Sequence, residues 1–213
     1  MIAASKEKRE KVVITGTGPS YLERWFSSDE QFHQLYPLPL QSLARRHWTP
    51  LTVARKAADF LAVEDNAKIL DIGSGIGKFC LSAAWYKPNA FFHGIEQRDS
   101  LASYAETARA TLGLENVSLL QGNFTQVDFR QYDHFYFYNS FYENLEGAEK
   151  IDEDISHSGD LFNYYNRYLF KQLDKMPSGT RLATYHSMEN EVPPSYHVVD
   201  TDMERLLKFW IKE

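Results

Sequence analysis

The sequence predicts an α/β protein: a three-layer sheet of about seven mostly parallel strands, preceded by a helical cap over residues 1–60. Three observations carry this. From residue 67 onward, short apolar runs alternate with stretches of helical periodicity. Glycines cluster where the first apolar run ends. The intervening helical stretches are long enough to cross from one parallel strand to the next. At 213 residues the chain can bury one core, and residues 61–213 are expected to form a single structural unit.

Each element follows from local chemistry. Residues 1–60 are helical and turn-rich, broken at Pro37 and Pro39. "TPLTVARKAADFLAV" (49–63) is amphipathic, with Thr49 placed as N-cap and Pro50 at the first helical position. "AKILDIG" (67–73) is a strand ending in glycine, and "KFCLSAAWY" (78–86) has helical spacing. "AFFHGIEQ" (90–97) is the next strand, and "SLASYAETARATLG" (100–113) is a helix closed by Gly113. "NVSLLQGN" (116–123) and "HFYFYNS" (134–140) are two more strands. Then comes "ENLEGAEKIDEDISHSGD" (143–160), with seven carboxylates against one lysine. The helix "DLFNYYNRYLFKQLDK" (160–175) and the strand "TRLATYHS" (180–187) follow. "SYHVVD" (195–200) and "LLKFWIKE" (206–213) are placed as sheet-edge strands.

Charge and composition narrow the partners. A net charge of −6 argues against nucleic acid and against anionic membrane surfaces. The first residues are polar and basic with no apolar stretch behind them, so no secretory leader is expected. No window has the length of a membrane-spanning helix, and a cytoplasmic location is the plain expectation. The lone Cys80 excludes an internal disulfide, and no His/Asp/Glu cluster has metal-ligand spacing.

The chemistry concentrates at "ILDIGSGIGKF" (69–79). A strand ending in a glycine loop that opens a helix points backbone N–H groups and the positive end of a dipole at one place. Gly73, Gly75 and Gly77 make G-x-G-x-G, whereas a dinucleotide fingerprint needs its third glycine at position 78, which is Lys78. Asp71, ahead of the loop, would repel a pyrophosphate and suits a ligand with a cationic amino group. S-adenosylmethionine has such a group and no phosphate. Glu96, ending the next strand, stands where an acid takes ribose hydroxyls. "QGNF" and "NSFYE" end the third and fourth strands, so all four stretches fall at the carboxyl ends of parallel strands.

In this order and spacing, "ILDIGSGIGKF", "GIEQ", "QGNF" and "FYNSFY" resemble the motifs of class I, Rossmann-like S-adenosylmethionine-dependent methyltransferases. The resemblance implies that Asp71, Gly73 and Gly75 face the methionine part and Glu96 the ribose. Asn123 and Phe124 would border the adenine; Ser74, Gly77, Gln97 and Asn139 complete the candidate cofactor-binding set. The family often has an aspartate at the position of Asn123, whose amide oxygen can serve the same base.

The acceptor is less explicit. "NSFY" (139–142) partly resembles the N/D-P-P-Y/F motif of methyltransferases acting on amino groups, with Ser140 and Phe141 replacing both prolines. A looser likeness is to non-SET histone-lysine methyltransferases, which carry an Asn-Asn-Phe stretch at this strand end. Asn139 and Tyr142 match the first pattern and Asn139 and Phe141 the second, which together make Asn139, Phe141 and Tyr142 the candidate catalytic residues. The leading acceptor is an amine nitrogen, such as a protein lysine. The alternatives are small-molecule O- or N-methylation and a non-catalytic cofactor-binding module. Phe135 to Tyr138 are better explained as a strand buried on both faces than as a cation pocket. The acidic stretch 143–160 is foremost a solvated loop, with a lid attracting a cationic acceptor as the rival reading. His47 in "ARRHWTP" and His186 are candidate bases, although a lone histidine is more commonly structural.

Overall fold

A computed structural model describes residues 19–213 of the chain; the first 18 residues of the cap expected over 1–60 lie outside it. The described cap consists of short helices: α1 (Pro19–Glu23), α2 (Asp29–His33), α3 (Leu38–Gln41), α4 (Ala44–His47) and α5 (Leu51–Leu61). The helix expected from Thr49 starts later. Pro50 occupies the N-cap and makes no side-chain cap, while the Thr49 hydroxyl meets the Tyr136 hydroxyl at 3.0 Å. The cap is instead supplied from a distance, where Asp29 Oδ1 accepts the Leu51 N–H at 3.0 Å.

Alternation then begins: β1 (Lys68–Ile72), α6 (Lys78–Tyr86), β2 (Phe91–Glu96), α7 (Asp99–Leu112), β3 (Val117–Gln121) and β4 (His134–Tyr138). The chain closes with α8 (Gly159–Asp174), β5 (Arg181–Tyr185), β6 (Tyr196–Asp202) and β7 (Leu207–Lys212). They form a seven-stranded sheet in the order β3-β2-β1-β4-β5-β7-β6. The pairings from β3 through β5 are parallel, and β7 runs antiparallel to both β5 and β6. The order reverses direction between β1 and β4, so a crevice opens beyond their carboxyl ends.

One placement differs from the sequence expectation. β6 is an edge strand, but β7 lies inside the sheet, with Leu207, Phe209, Trp210 and Lys212 all buried. Lys212 is tolerated there because its ammonium donates to the carbonyls of Asp174 and Met176.

Two apolar layers sandwich the sheet. One joins Ile69, Phe79, Phe92 and Tyr136 to cap residues Phe32, Tyr36, Trp48 and Leu51, so cap and sheet share a core. The other joins Leu70, Ile72, Phe135 and Phe137 to Leu169 and Leu173 of α8. Strand parity thus puts Asp71 on the cap side with Ile69. Among the described residues no helix is long and apolar enough to cross a membrane.

Candidate active site

A cavity of about 590 Å³ occupies the crevice at the carboxyl ends of β1, β2 and β4, within the usual size of a small-molecule site. One end is made largely of main chain. Gly73, Gly75 and Gly77 have φ of 77°, 55° and 78°, a region where a Cβ is strained. A Cβ on Gly73 would stand 2.5 Å from the Ser140 side chain, so that position is closed to any larger residue. Gly75 has open space on its Cβ side, which leaves its peptide accessible to a ligand.

Glu96 closes this end. It is buried, with Oε2 accepting the Gly75 N–H at 3.0 Å and Oε1 accepting the Arg98 N–H at 2.8 Å. Burial raises its pKa above the ordinary carboxylate value, and the two amide donors pull against that rise. Each oxygen still has a lone pair to offer a hydroxyl. Phe124 and Phe141 stack on one another with centroids 5.0 Å apart and supply an apolar wall.

Lys78 shows what this cradle excludes. In a phosphate loop a lysine faces the ligand; here the Lys78 ammonium turns into the cap. It pairs with Asp29 Oδ1 at 2.5 Å and lies 2.9 Å from His33 Nε2. The Tyr36 hydroxyl also donates to the Ile76 carbonyl, at 2.8 Å, so the cap grips the glycine loop twice. The cradle therefore presents a carboxylate and no loop cation, which fits a nucleoside without phosphate such as S-adenosylmethionine.

Gly73, Gly75, Glu96, Gln97, Phe124, Asn139, Phe141 and Tyr142, among the residues singled out from sequence, line the cavity. Asp71, Ser74, Gly77 and Asn123 do not. The Asp71 carboxyl is buried toward α6, where Cys80 Sγ donates to it at 3.6 Å, and burial pushes its pKa up to about 8. The Ser74 side chain packs over Gly94, and Gly77 abuts Ala105 and Leu119. Asn123 is a brace: its oxygen accepts the Thr125 N–H, and its nitrogen donates to Gln97 Oε1 and to the Tyr165 hydroxyl. At the end of β4, Asn139 has φ of 42° and its carbonyl accepts the Tyr142 N–H. Ser140 Oγ donates to the Ile72 carbonyl at 2.6 Å, bolting this loop to β1. Phe141 is buried among Phe124, Phe137 and Tyr165, whereas Tyr142 is exposed.

The opposite end of the cavity comes from side chains distant in sequence: Arg45, Arg46 and His47 of α4, Tyr138, His186, and the acidic segment. That segment is a strap. Gly147, Glu149, Ile151, Ile155 and Ser156 line the cavity. Arg98, buried, ties the strap down by donating to Glu143 Oε2 at 2.7 Å and to Asp152 Oδ1 at 2.9 Å. Glu143 also accepts the Ile151 N–H at 2.9 Å, and Arg46 pairs with Glu149. The strap's acidity is thus partly neutralised by two arginines rather than wholly solvated. Sequence spacing gave no signal for Arg98 or for the grip of Lys78 on the cap.

Comparisons with known proteins agree with this geometry. A family model described as a methyltransferase domain matches residues 63–153. Over 54 residues the chain is 46% identical to a tRNA (guanine-N(7)-)-methyltransferase of Synechococcus sp. (strain JA-3-3Ab), a stretch covering 25% of this chain and 23% of that protein. The chain thus spans about a quarter of the length of the curated relatives it matches. The fold resembles an RNA methyltransferase from Salinibacter ruber in complex with S-adenosyl-L-homocysteine, with TM-score 0.54 and 20% identity, covering 77% of this chain and 92% of that one. It also resembles the mitomycin 7-O-methyltransferase MmcR, with TM-score 0.53 and 14% identity, covering 89% of this chain and 59% of that one.

Proposed function

We infer that this chain, which carries a class I S-adenosylmethionine-dependent methyltransferase domain, transfers the cofactor's methyl group to a small acceptor held beneath the strap. The observation that carries this reading is the cradle itself: Glu96 faces a glycine loop whose lysine is turned away, so a sugar is welcomed and a phosphate is not.

The chain's own residues divide the work. Gly73 and Gly75 let the backbone approach the ligand closely, and Glu96 accepts hydrogen bonds from ribose hydroxyls. Phe124 and Phe141, stacked on one another, give the planar base one apolar wall, and Gln97 and Asn123 brace the rim beside it. The cofactor, when bound, supplies an electrophilic methyl carbon. Displacement at such a carbon is in-line, so the protein's task is to hold the acceptor at the right distance and direction. The side chain of Asn139 makes no hydrogen bond among the described residues and is free to orient the acceptor's nitrogen or oxygen. The strap, held down by Arg98, borders a cavity of small-molecule size, which supports a small acceptor over a protein lysine.

A second reading, methylation of an RNA base, is favoured by the names of the curated relatives and of the Salinibacter structure. Against it stand the acidic strap across the mouth and the net charge of −6. Calorimetry with S-adenosylhomocysteine tests the shared premise, and absence of binding would sink both readings. Transfer of tritiated methyl from S-adenosylmethionine into a cell extract, separated into protein, RNA and small molecules, then chooses. We expect label in the small-molecule fraction; label in RNA would establish the second reading.

A further inference from the structure

The acceptor end of the cavity contains a group that the methyl-transfer reading does not yet use. His47 lies in the last turn of α4, and two tyrosine hydroxyls of β4 hold the chain on either side of it. Tyr138 donates to the carbonyl of Arg46 at 2.9 Å, and the Tyr136 hydroxyl meets Thr49 Oγ1 at 3.0 Å. Between these tethers Trp48 goes inward, against His33 and Tyr36, while His47 lines the cavity. The His47 imidazole makes no hydrogen bond among the described residues, so its basic nitrogen is not spent on the protein.

The charges around it matter as much. Arg45 and Arg46 precede it on α4, and Glu143 of the strap and Arg98 beyond β2 act on it through space. Among the described residues, every carboxylate that lines the cavity is already engaged. Glu96 accepts two backbone amides, Glu143 holds Arg98 and the Ile151 amide, and Glu149 holds Arg46. A cationic ammonium acceptor would find no unpaired acid to offset its charge. A neutral hydroxyl would find a base.

Building on the methyl-transfer reading above, we propose that His47 is the general base of the reaction and that the acceptor is a hydroxyl-bearing small molecule, giving a methyl ether. In the step, the acceptor oxygen forms its bond to the methyl carbon while its O–H proton passes to the His47 imidazole. The electron pair of the breaking carbon–sulfur bond leaves with sulfur as a neutral thioether. The imidazolium then returns its proton to water. Burial holds the His47 pKa below the ordinary histidine value, with Arg98 and Arg46 adding to the fall and Glu143 opposing it, so the basic form prevails at neutral pH. Tyr138 is a positioning residue: its hydroxyl fixes the backbone from which His47 projects.

Three measurements test this. In the free protein, NMR titration of the His47 ring should give a midpoint below that of a solvated histidine, and Tyr138→Phe should move it back toward one; an unchanged midpoint in that variant overturns the positioning role of Tyr138. His47→Gln should bind S-adenosylhomocysteine within about two-fold of wild type while losing about 100-fold or more of methyl transfer into the small-molecule fraction, the range of a lost general base. The wild-type rate should rise with pH through the His47 midpoint, and that inflection should vanish in His47→Gln. Retained turnover in that variant, an N-methyl product, or label confined to protein or RNA would each refute the assignment. Failure of wild type to bind S-adenosylhomocysteine would instead remove the methyl-transfer reading beneath it.

Discussion

The two ends of the cavity are made from different kinds of material. At the cofactor end the lining comes from short segments at the carboxyl ends of parallel strands, among them Gly73 and Gly75 after β1, Glu96 at the end of β2, and Gly122 and Phe124 after β3. At the acceptor end they are side chains from α4, the strap and the turn after β5, segments far apart in sequence, as His47 and His186 are. Backbone sites are set by glycine spacing and strand order, which are local. Side-chain sites depend on packing between distant segments. The first kind fixes what is bound, and the second fixes what is done with it.

The comparison breaks most sharply at Glu96. Glu96→Ala removes the acid and leaves two buried amides, of Gly75 and Arg98, without an acceptor. Hydrogen bonds to a charged group are worth ~1.5–3 kcal/mol each, so S-adenosylhomocysteine affinity should fall about 100-fold or more by calorimetry. A loss below about five-fold would mean that Glu96 serves the loop alone. His47→Gln, at the other end, should leave the same measurement nearly untouched.

This asymmetry explains what the sequence made legible. The glycine loop, Glu96 and the strand alternation were readable because each is a short pattern with one physical cause. Asp71, expected to face the methionine part, does not line the cavity: strand parity sets it with Ile69 on the cap side, where its carboxyl is buried against Cys80. Thr49 was misplaced because a distant carboxylate, Asp29, caps α5 in its stead. Lys78 was noticed as a break in spacing, but its contacts with Asp29 and His33, 49 and 45 residues away, follow from packing that no local pattern encodes. The strap's attachment to Arg98 was hidden for the same reason.

Lys78 ties the glycine loop to the cap, holding α2 directly and the start of α5 through Asp29. Burial lowers its pKa, and Asp29 opposes that fall. Asp29→Asn keeps an acceptor for the Leu51 amide but strands the buried ammonium. Removing one partner of a buried pair costs ~3–5 kcal/mol; Asp29 is part-exposed, so a loss of about 2–3 kcal/mol in urea unfolding is expected. Lys78→Met, which removes the buried charge itself, should cost less. If Asp29→Asn proves the milder change, the ammonium is not truly stranded and the cap is held by its apolar contacts.

The strap tests whether the acceptor end gates the cofactor end. Arg98 begins beside Glu96, to which its own N–H donates, and ends on Glu143 and Asp152. Arg98→Gln keeps the backbone amide and loses both ion pairs. Dissociation of S-adenosylhomocysteine, followed by stopped flow, should speed up about ten-fold, in line with ~1.4 kcal/mol of lost closure. Amides of 147–156 should exchange faster with deuterium in the free protein. An unchanged rate with faster exchange would show a strap that moves without guarding the cofactor.

The strap's second attachment should matter least, and the reason is exposure. Arg98 and Glu143 have side chains 5% and 13% exposed, whereas Arg46 and Glu149 are 61% and 62% exposed. Water competes for the outer pair, salt screens it, and holding two long side chains offsets its attraction. Glu149→Gln should therefore change S-adenosylhomocysteine dissociation by less than about two-fold, within the small effect of exposed pairs. Raising the salt concentration should have a similarly small effect on wild type, since the buried Arg98 contacts are poorly screened. Should Glu149→Gln match Arg98→Gln, the strap would be hinged on the cap rather than on β2. Closure would then be governed from the acceptor end, and α4, with His47 upon it, would have to move each time the cofactor is exchanged.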